Sequence, residues 1–114
     1  MNILIIDTSR PTIWVALVRD GQMVAEKEWP GDPALGVALL QAIDEVTSRQ
    51  GPVTRVAVHR GPGHFMALRT GIVTAQLLAW ASGAELVEVT GDDRAALIRQ
   101  AAEASPVSAP TPTY

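Results

Sequence analysis

Ile3 to Ile6 form an unbroken apolar run that ends at Asp7. A run without polar alternation predicts a strand buried on both faces. Thr8 to Pro11 is turn chemistry. Thr12 to Arg19 (TIWVALVR) is rich in β-branched and aromatic residues and predicts a second strand. Asp20-Gly21 follows at once, a strong hairpin signal, and Gln22 to Trp29 (QMVAEKEW) predicts the returning third strand. There Met23, Ala25, Lys27 and Trp29 alternate with Gln22, Val24, Glu26 and Glu28. Half of this strand is expected to face water, as near a sheet edge.

The period then changes from two to about 3.6. Asp32-Pro33 predicts a helix start, an N-cap followed by Pro at the first helical position. The helix is expected to run to about Gln50, with Leu35, Leu39, Ala42, Ile43 and Val46 on one face, until Gly51-Pro52 stops it. Val53 to His59 predicts a strand, Gly61-Pro62-Gly63 a tight corner, and Phe65 to Ser82 a second helix closed by Gly83. Glu85 to Val89 predicts a last strand. Thr90 is expected to cap a third helix, with Asp92 and Asp93 in its first turn. From Ser105 the segment SPVSAPTPTY is Pro/Ser/Thr-rich, which predicts a disordered tail after one domain over residues 1–104.

The predicted order is β-β-β-α-β-α-β-α. One hairpin meander is followed by two helical crossovers, expected to be right-handed and to return strands parallel to the first. This closes as a five-stranded mixed sheet of order 3-2-1-4-5 with helices on its faces, an α/β layout of the ribonuclease-H-like kind. Such folds host nucleases and nucleotide-binding ATPases alike, so function has to come from particular residues.

Composition removes several classes. A chain of 114 residues fits one domain and buries roughly two thirds of its unfolded surface. The absence of cysteine excludes disulfides, thiolate metal sites and a Cys nucleophile. MNILIID carries no basic leader, and no apolar run approaches the ~20 residues of a membrane span, so a cytoplasmic location is expected. The net charge of −3 comes without a basic stripe, which argues against direct nucleic-acid binding.

Asp7 ends the first strand where this layout places ligands. A two-metal nuclease would need more carboxylates there, with Asp44 and Glu45 on the first helix as candidates, but the fourth strand ends in His59 and Arg60. Asp7 as a corner-capping residue is the better reading. Thr8, Ser9, Arg10 and Pro11 offer hydroxyls and a charge but no glycine for a phosphate loop. His59 and His64 flank the RGPG turn without a neighbouring acid and lack the spacing of a metal pair on one helix. No G-x-S-x-G elbow occurs. In the second helix Leu68, Ile72, Ala75, Leu78 and Ala79 make one apolar stripe, and Val73, Leu77 and Trp80 a second. Either Leu77 and Trp80 pack on the first helix, or the two helices present an apolar surface to a partner. The partner reading is preferred.

ILIIDTS, the Asp-Gly hairpin and GPGHFMALRTG (Gly61 to Gly71) resemble the TsaB (YeaZ-like) family, whose pattern reads ILAIDTS…GPGSFTGLRIG. The resemblance covers Asn2 to about Ala102. The strand-plus-IDTS start is shared by the wider actin-like ATPase superfamily. Gly61, Pro62, Gly63, Phe65, Leu68, Arg69 and Gly71 match. The resemblance implies a structural corner at Gly61, Pro62, Gly63, Phe65, Arg69 and Gly71. It further implies a helical interface, here Leu35, Leu39, Ile43, Leu68, Ile72, Val73, Leu77 and Trp80 within the helices from Ala34 to Gln50 and Phe65 to Ser82. Asp7, Thr8 and Ser9 would be a vestigial ligand site.

The function so implied is that of a non-catalytic partner in making threonylcarbamoyladenosine in tRNA. It would pair with a TsaD-like catalytic subunit or with a second copy of itself. It would hold no cofactor or metal of its own, any ATP and metal being bound by or shared with that enzyme. His64, Met66, Ala67 and Thr70 replace the family's Ser, Thr, Gly and Ile, and Leu35-Gly36 stands where its first helix usually carries His-Ser. The family's second domain does not follow Ser105, which fits either a naturally short homologue or one domain of a longer protein. Two alternatives remain: a diverged homodimer without a tRNA role, and a small metal-dependent hydrolase or nuclease using Asp7 with Asp44 or Glu45.

Overall fold

The structure, a computed structural model, describes residues 1–31 and 35–114. The expected helix start at Asp32-Pro33, and Ala34, lie outside the described residues. The elements are β1 (Asn2–Asp7), β2 (Thr12–Arg19), β3 (Gln22–Pro30), α1 (Leu35–Thr47), β4 (Arg55–His59), α2 (Phe65–Ser82), β5 (Glu85–Val89) and α3 (Arg94–Glu103). They form one mixed sheet of order β3-β2-β1-β4-β5. β2 runs antiparallel to β1 and β3, while β1, β4 and β5 are mutually parallel.

β1 lies at the centre and is buried along its whole length. Its side chains divide by parity, as the period of two requires. Leu4 and Ile6 join Ile13, Val15, Val56 and Val58 under α1 and α2. Ile3 and Ile5 join Trp14, Ala16, Ala57 and Val87 under α3. Each face of the sheet therefore has its own core.

Most element types follow the apolar pattern, and the differences lie at ends. α1 stops at Thr47, short of Gln50, because Arg49 adopts a left-handed conformation (φ 62°) before Gly51 (φ 84°). The Asn2 side chain ties this turn down by donating to the Gln50 carbonyl at 2.7 Å and the Pro52 carbonyl at 3.2 Å. β4 begins at Arg55, not Val53. α3 starts later than predicted: Asp93, not Thr90, is its N-cap, accepting from the Ala96 N–H at 2.8 Å. The other end of α3 is held by Arg55, whose guanidinium donates to the carbonyls of Ala101, Ala102 and Ala104. A cation there also meets the negative end of the helix dipole.

α2 runs from Phe65 to Ser82 as its periodicity predicts and ends at Gly83 (φ 68°), where the Ala84 N–H closes back onto the Ala79 carbonyl at 2.9 Å. The segment after α3 was expected to be disordered. In the structure it has no helix or strand, but Val107 packs on the α1/α2 core and its N–H donates to the Leu86 carbonyl at 2.7 Å.

Asp93→Ala should remove the cap of α3 and cost about 1 kcal/mol of stability. Urea denaturation of the two chains checks this.

Candidate functional site

Two places matter, the corner where β4 turns into α2 and the outer side of the helical layer. At the corner, His59 is buried at the end of β4. Its Nδ1 accepts from the Gly61 N–H at 3.0 Å and its Nε2 lies 3.1 Å from the Gly91 carbonyl, the partner to which it donates. Both ring nitrogens are thus used to hold two loops together. His64 is exposed at the N-cap of α2 and its side chain caps nothing. The two histidines serve different ends, and among the described residues no group of three His, Asp or Glu is placed to hold a metal ion.

The glycines of the corner are explained by what lies beneath them. A Cβ on Gly63 would sit 2.7 Å from the Ser9 carbonyl oxygen, and one on Gly71 would drive into the Thr8 hydroxyl. The start of α2 therefore rests directly on the β1–β2 turn. IDTS and GPGHFMALRTG, far apart in sequence, are two sides of one contact. Of the other corner residues, Gly61 is buried with φ 103°, the Gly61–Pro62 bond is cis, and Phe65 and Arg69 are exposed.

Asp7, Thr8 and Ser9 do not converge on a ligand. Asp7 accepts from the Ser9 N–H at 2.9 Å and the Ser9 hydroxyl at 2.5 Å, an Asx-type turn that caps the corner. Thr8 points the other way, fully buried against α2, and its hydroxyl has no hydrogen-bond partner. Arg10 lies across the strand ends, donating to the Gly91 and Asp92 carbonyls with its Nε 3.8 Å from Asp7. The Ser9 N–H that would meet a phosphate is already engaged by a carboxylate. These residues do not fit a nucleotide phosphate.

Asp44 and Glu45 cannot complete a metal site with Asp7, which corrects the hydrolase alternative. Asp7 opens into a 260 Å³ cleft on the α3 side, beside Trp14, Glu28, Asp93, Arg94 and Leu97. α1 packs on the opposite face of the sheet, where Glu45 pairs with Lys27 at 2.5 Å. The acids that do neighbour Asp7 were not singled out in the sequence, because only the tertiary fold brings β3 and α3 to it. Arg94 lies among them, paired with Glu26 and Glu28 and stacked over the Trp14 ring at 4.9 Å.

The expected interface residues divide sharply. Leu35, Leu39, Ile43, Leu68 and Ile72 are buried in the core. Within the chain they supply the packing that fixes α1 and α2 on the sheet. Val73, Leu77 and Trp80 are 43%, 60% and 85% exposed, so Leu77 and Trp80 do not pack on α1. Met66, Val37 and Leu40 are exposed too. Val37 and Leu40 lie off the buried stripe of α1, a signal legible in its helical periodicity. On α2, Met66, Thr70, Val73, Leu77 and Trp80 follow in alternating steps of four and three residues. That is the spacing of a helix-packing seam. A cleft of 670 Å³ beside it is lined by Pro11, Ile13, Leu35, Met66, Ala67 and Thr70, with Arg10 and His64 among its polar groups.

Residues 33–110 match the family model described as TsaD, tRNA N6-adenosine threonylcarbamoyltransferase. The chain belongs to this family. Within the TsaD family it is TsaB/YeaZ-like. It is 30% identical over 84 residues to the tRNA threonylcarbamoyladenosine biosynthesis protein TsaB of Bacillus subtilis, a match covering 70% of this chain and 37% of that protein. The structure of YeaZ from Pseudomonas aeruginosa superposes with a TM-score of 0.70 at 27% identity, covering 78% of this chain and 43% of YeaZ. The RuvC structure from Thermus thermophilus superposes with a TM-score of 0.58 at 15% identity, over 79% of this chain and 64% of RuvC, and shows the ribonuclease-H-like fold alone. The matches thus cover less than half the length of the TsaB and YeaZ relatives.

Gly71→Ala should destabilise this TsaD-family chain by about 1–3 kcal/mol through overpacking on Thr8, and Thr8→Ala in the same chain should restore part of the loss. Paired denaturant titrations read both. His64→Ser, which places the family's residue at the uncapped start of α2, should raise stability by about 0.5–1 kcal/mol. A rise in the urea midpoint with an unchanged slope is the expected signature.

Proposed function

We propose that this chain acts as a non-catalytic partner in the synthesis of threonylcarbamoyladenosine in tRNA. It docks a TsaD-like catalytic subunit through the outer side of α2. The observation that carries the reading is the exposed seam of Met66, Val73, Leu77 and Trp80 on a helix whose opposite side is fully packed. Burying large apolar side chains such as these contributes about 1.5–3 kcal/mol each, and aromatic residues are frequent anchors of protein interfaces. The name of the Bacillus subtilis relative supports the pathway.

The engaged strand-end turn supports the non-catalytic half of the proposal. Asp7 is spent on Ser9, and Arg10 covers the crevice where this layout ordinarily binds ligands. In this reading the chain holds no nucleotide or metal of its own and makes no direct contact with tRNA. ATP and its metal belong to the partner enzyme, and the protein works in the cytoplasm.

A second reading has its own observation. The seam has the heptad-like spacing of a self-complementary helix pair, so a homodimer would use the same residues.

Light scattering across size-exclusion peaks separates these readings, with the chain alone and mixed with the TsaD-like protein of the same organism. A mixed complex that weakens at least about tenfold on Leu77→Glu or Trp80→Glu is the expected result. Both side chains are exposed, so the variants should keep the wild-type circular dichroism and melting temperature. A homodimer that ignores the TsaD-like protein, yet is broken by the same substitutions, supports the self-pairing reading. Association unaffected by either substitution overturns both.

A further inference from the structure

We propose that residues 105–114 are a built-in strap that occupies the open edge of β5, and that displacing it exposes this edge to pairing with a second copy of the chain. β5 is the last strand of the sheet, so among the described residues one side of its backbone has no strand partner. Val107 makes one backbone hydrogen bond to that side, donating its N–H to the Leu86 carbonyl at 2.7 Å. Further along, the Thr111 N–H donates to the Glu88 carboxylate at 3.2 Å and the Thr113 N–H to the Arg60 carbonyl at 2.8 Å. The segment therefore advances in the same direction as β5 and then crosses onto the corner. There Tyr114 meets the Phe65 ring with centroids 4.7 Å apart, and the Thr113 carbonyl lies directly over Gly61, where a Cβ would collide with it.

The composition suits this task. Pro106, Pro110 and Pro112 have no N–H to offer. The segment can cover the edge of β5, bonding the Leu86 carbonyl, without itself becoming a template for another strand. Prolines and charges are common ways of blunting a sheet edge.

The two edges of this sheet differ in their protection. β3, at the far edge, carries Glu26, Lys27 and Glu28 along its length. Charges on both edges are paired, those of β3 with Arg94 and Glu45 and those of β5 with Arg55 and Arg60, but β5 is the more apolar strand, with Leu86, Val87 and Val89 among its five residues. Without the strap this is the edge that would pair with a copy of itself.

The test begins with the intact chain, where amide exchange at Val107 and Thr113 should be at least about tenfold slower than in an unstructured peptide. Rates equal to the unstructured value overturn the proposal. The second step deletes residues 105–114 in a chain also carrying Leu77→Glu and Trp80→Glu, so that any helix-mediated association is already removed. Concentration-dependent growth in mass by light scattering, together with faster exchange at Gly61, is expected. If the deletion does not fold, Val107→Pro in the same background removes the single N–H given to Leu86 and should produce the same growth. A variant that remains monomeric, with exchange at Gly61 unchanged, overturns the strap.

Discussion

The structure depends on how closely α2 approaches the turn between β1 and β2. Gly63 lies on the Ser9 backbone and Gly71 on the Thr8 side chain, with no room for a methyl group at either place. Packed interiors tolerate such contacts only when the residues are small. Once this approach is set, the rotation of α2 about its axis follows. Leu68, Ile72, Ala75 and Ala79 must face the sheet, and Met66, Val73, Leu77 and Trp80 must face away. The glycine corner is thus the contact that decides which side of a helix meets solvent.

The same turn ties together the strand ends where a fold of this kind would receive a ligand, beside the cleft into which Asp7 opens. Its carboxylate, Asp7, takes the Ser9 N–H and hydroxyl, and its arginine, Arg10, reaches the carbonyls of the loop after β5. His59 completes the closure by joining Gly61 to Gly91. Asp7, Ser9, Arg10 and His59 thus join the strand-end loops to one another, while the buried Thr8 hydroxyl has no partner. The open apolar surface lies elsewhere, on the helical layer. This arrangement is what supports the proposed role as a partner of another protein.

Apolar periodicity was sufficient for the strands and helices because each is read from its own residues. β1 is a continuous apolar run and is buried on both faces; α2 has a 3.6-residue repeat from Phe65 and a glycine at its end. Ends were less legible. The cap of α3 moved from Thr90 to Asp93, since several consecutive residues can cap and the one that does is chosen by where the chain leaves β5. The division of α2 into buried and exposed stripes was half legible for a related reason. A helix apolar around most of its circumference does not declare which stripe is core, and Ile72 and Val73 are equally hydrophobic neighbours with opposite fates.

By itself the sequence determined the order of elements, the mixed sheet, the glycine corner and the resemblance to TsaB, because these rest on local propensity and on motifs read in line. Only the tertiary structure decided that Thr8 and Ser9 are the floor under that corner. The same holds for Asp44 and Glu45, which lie across the sheet from Asp7, and for the proline-rich segment that lies along β5. Each of these is a contact between residues distant in the chain. Its existence depends on which groups the sheet order brings together, and no local pattern encodes that.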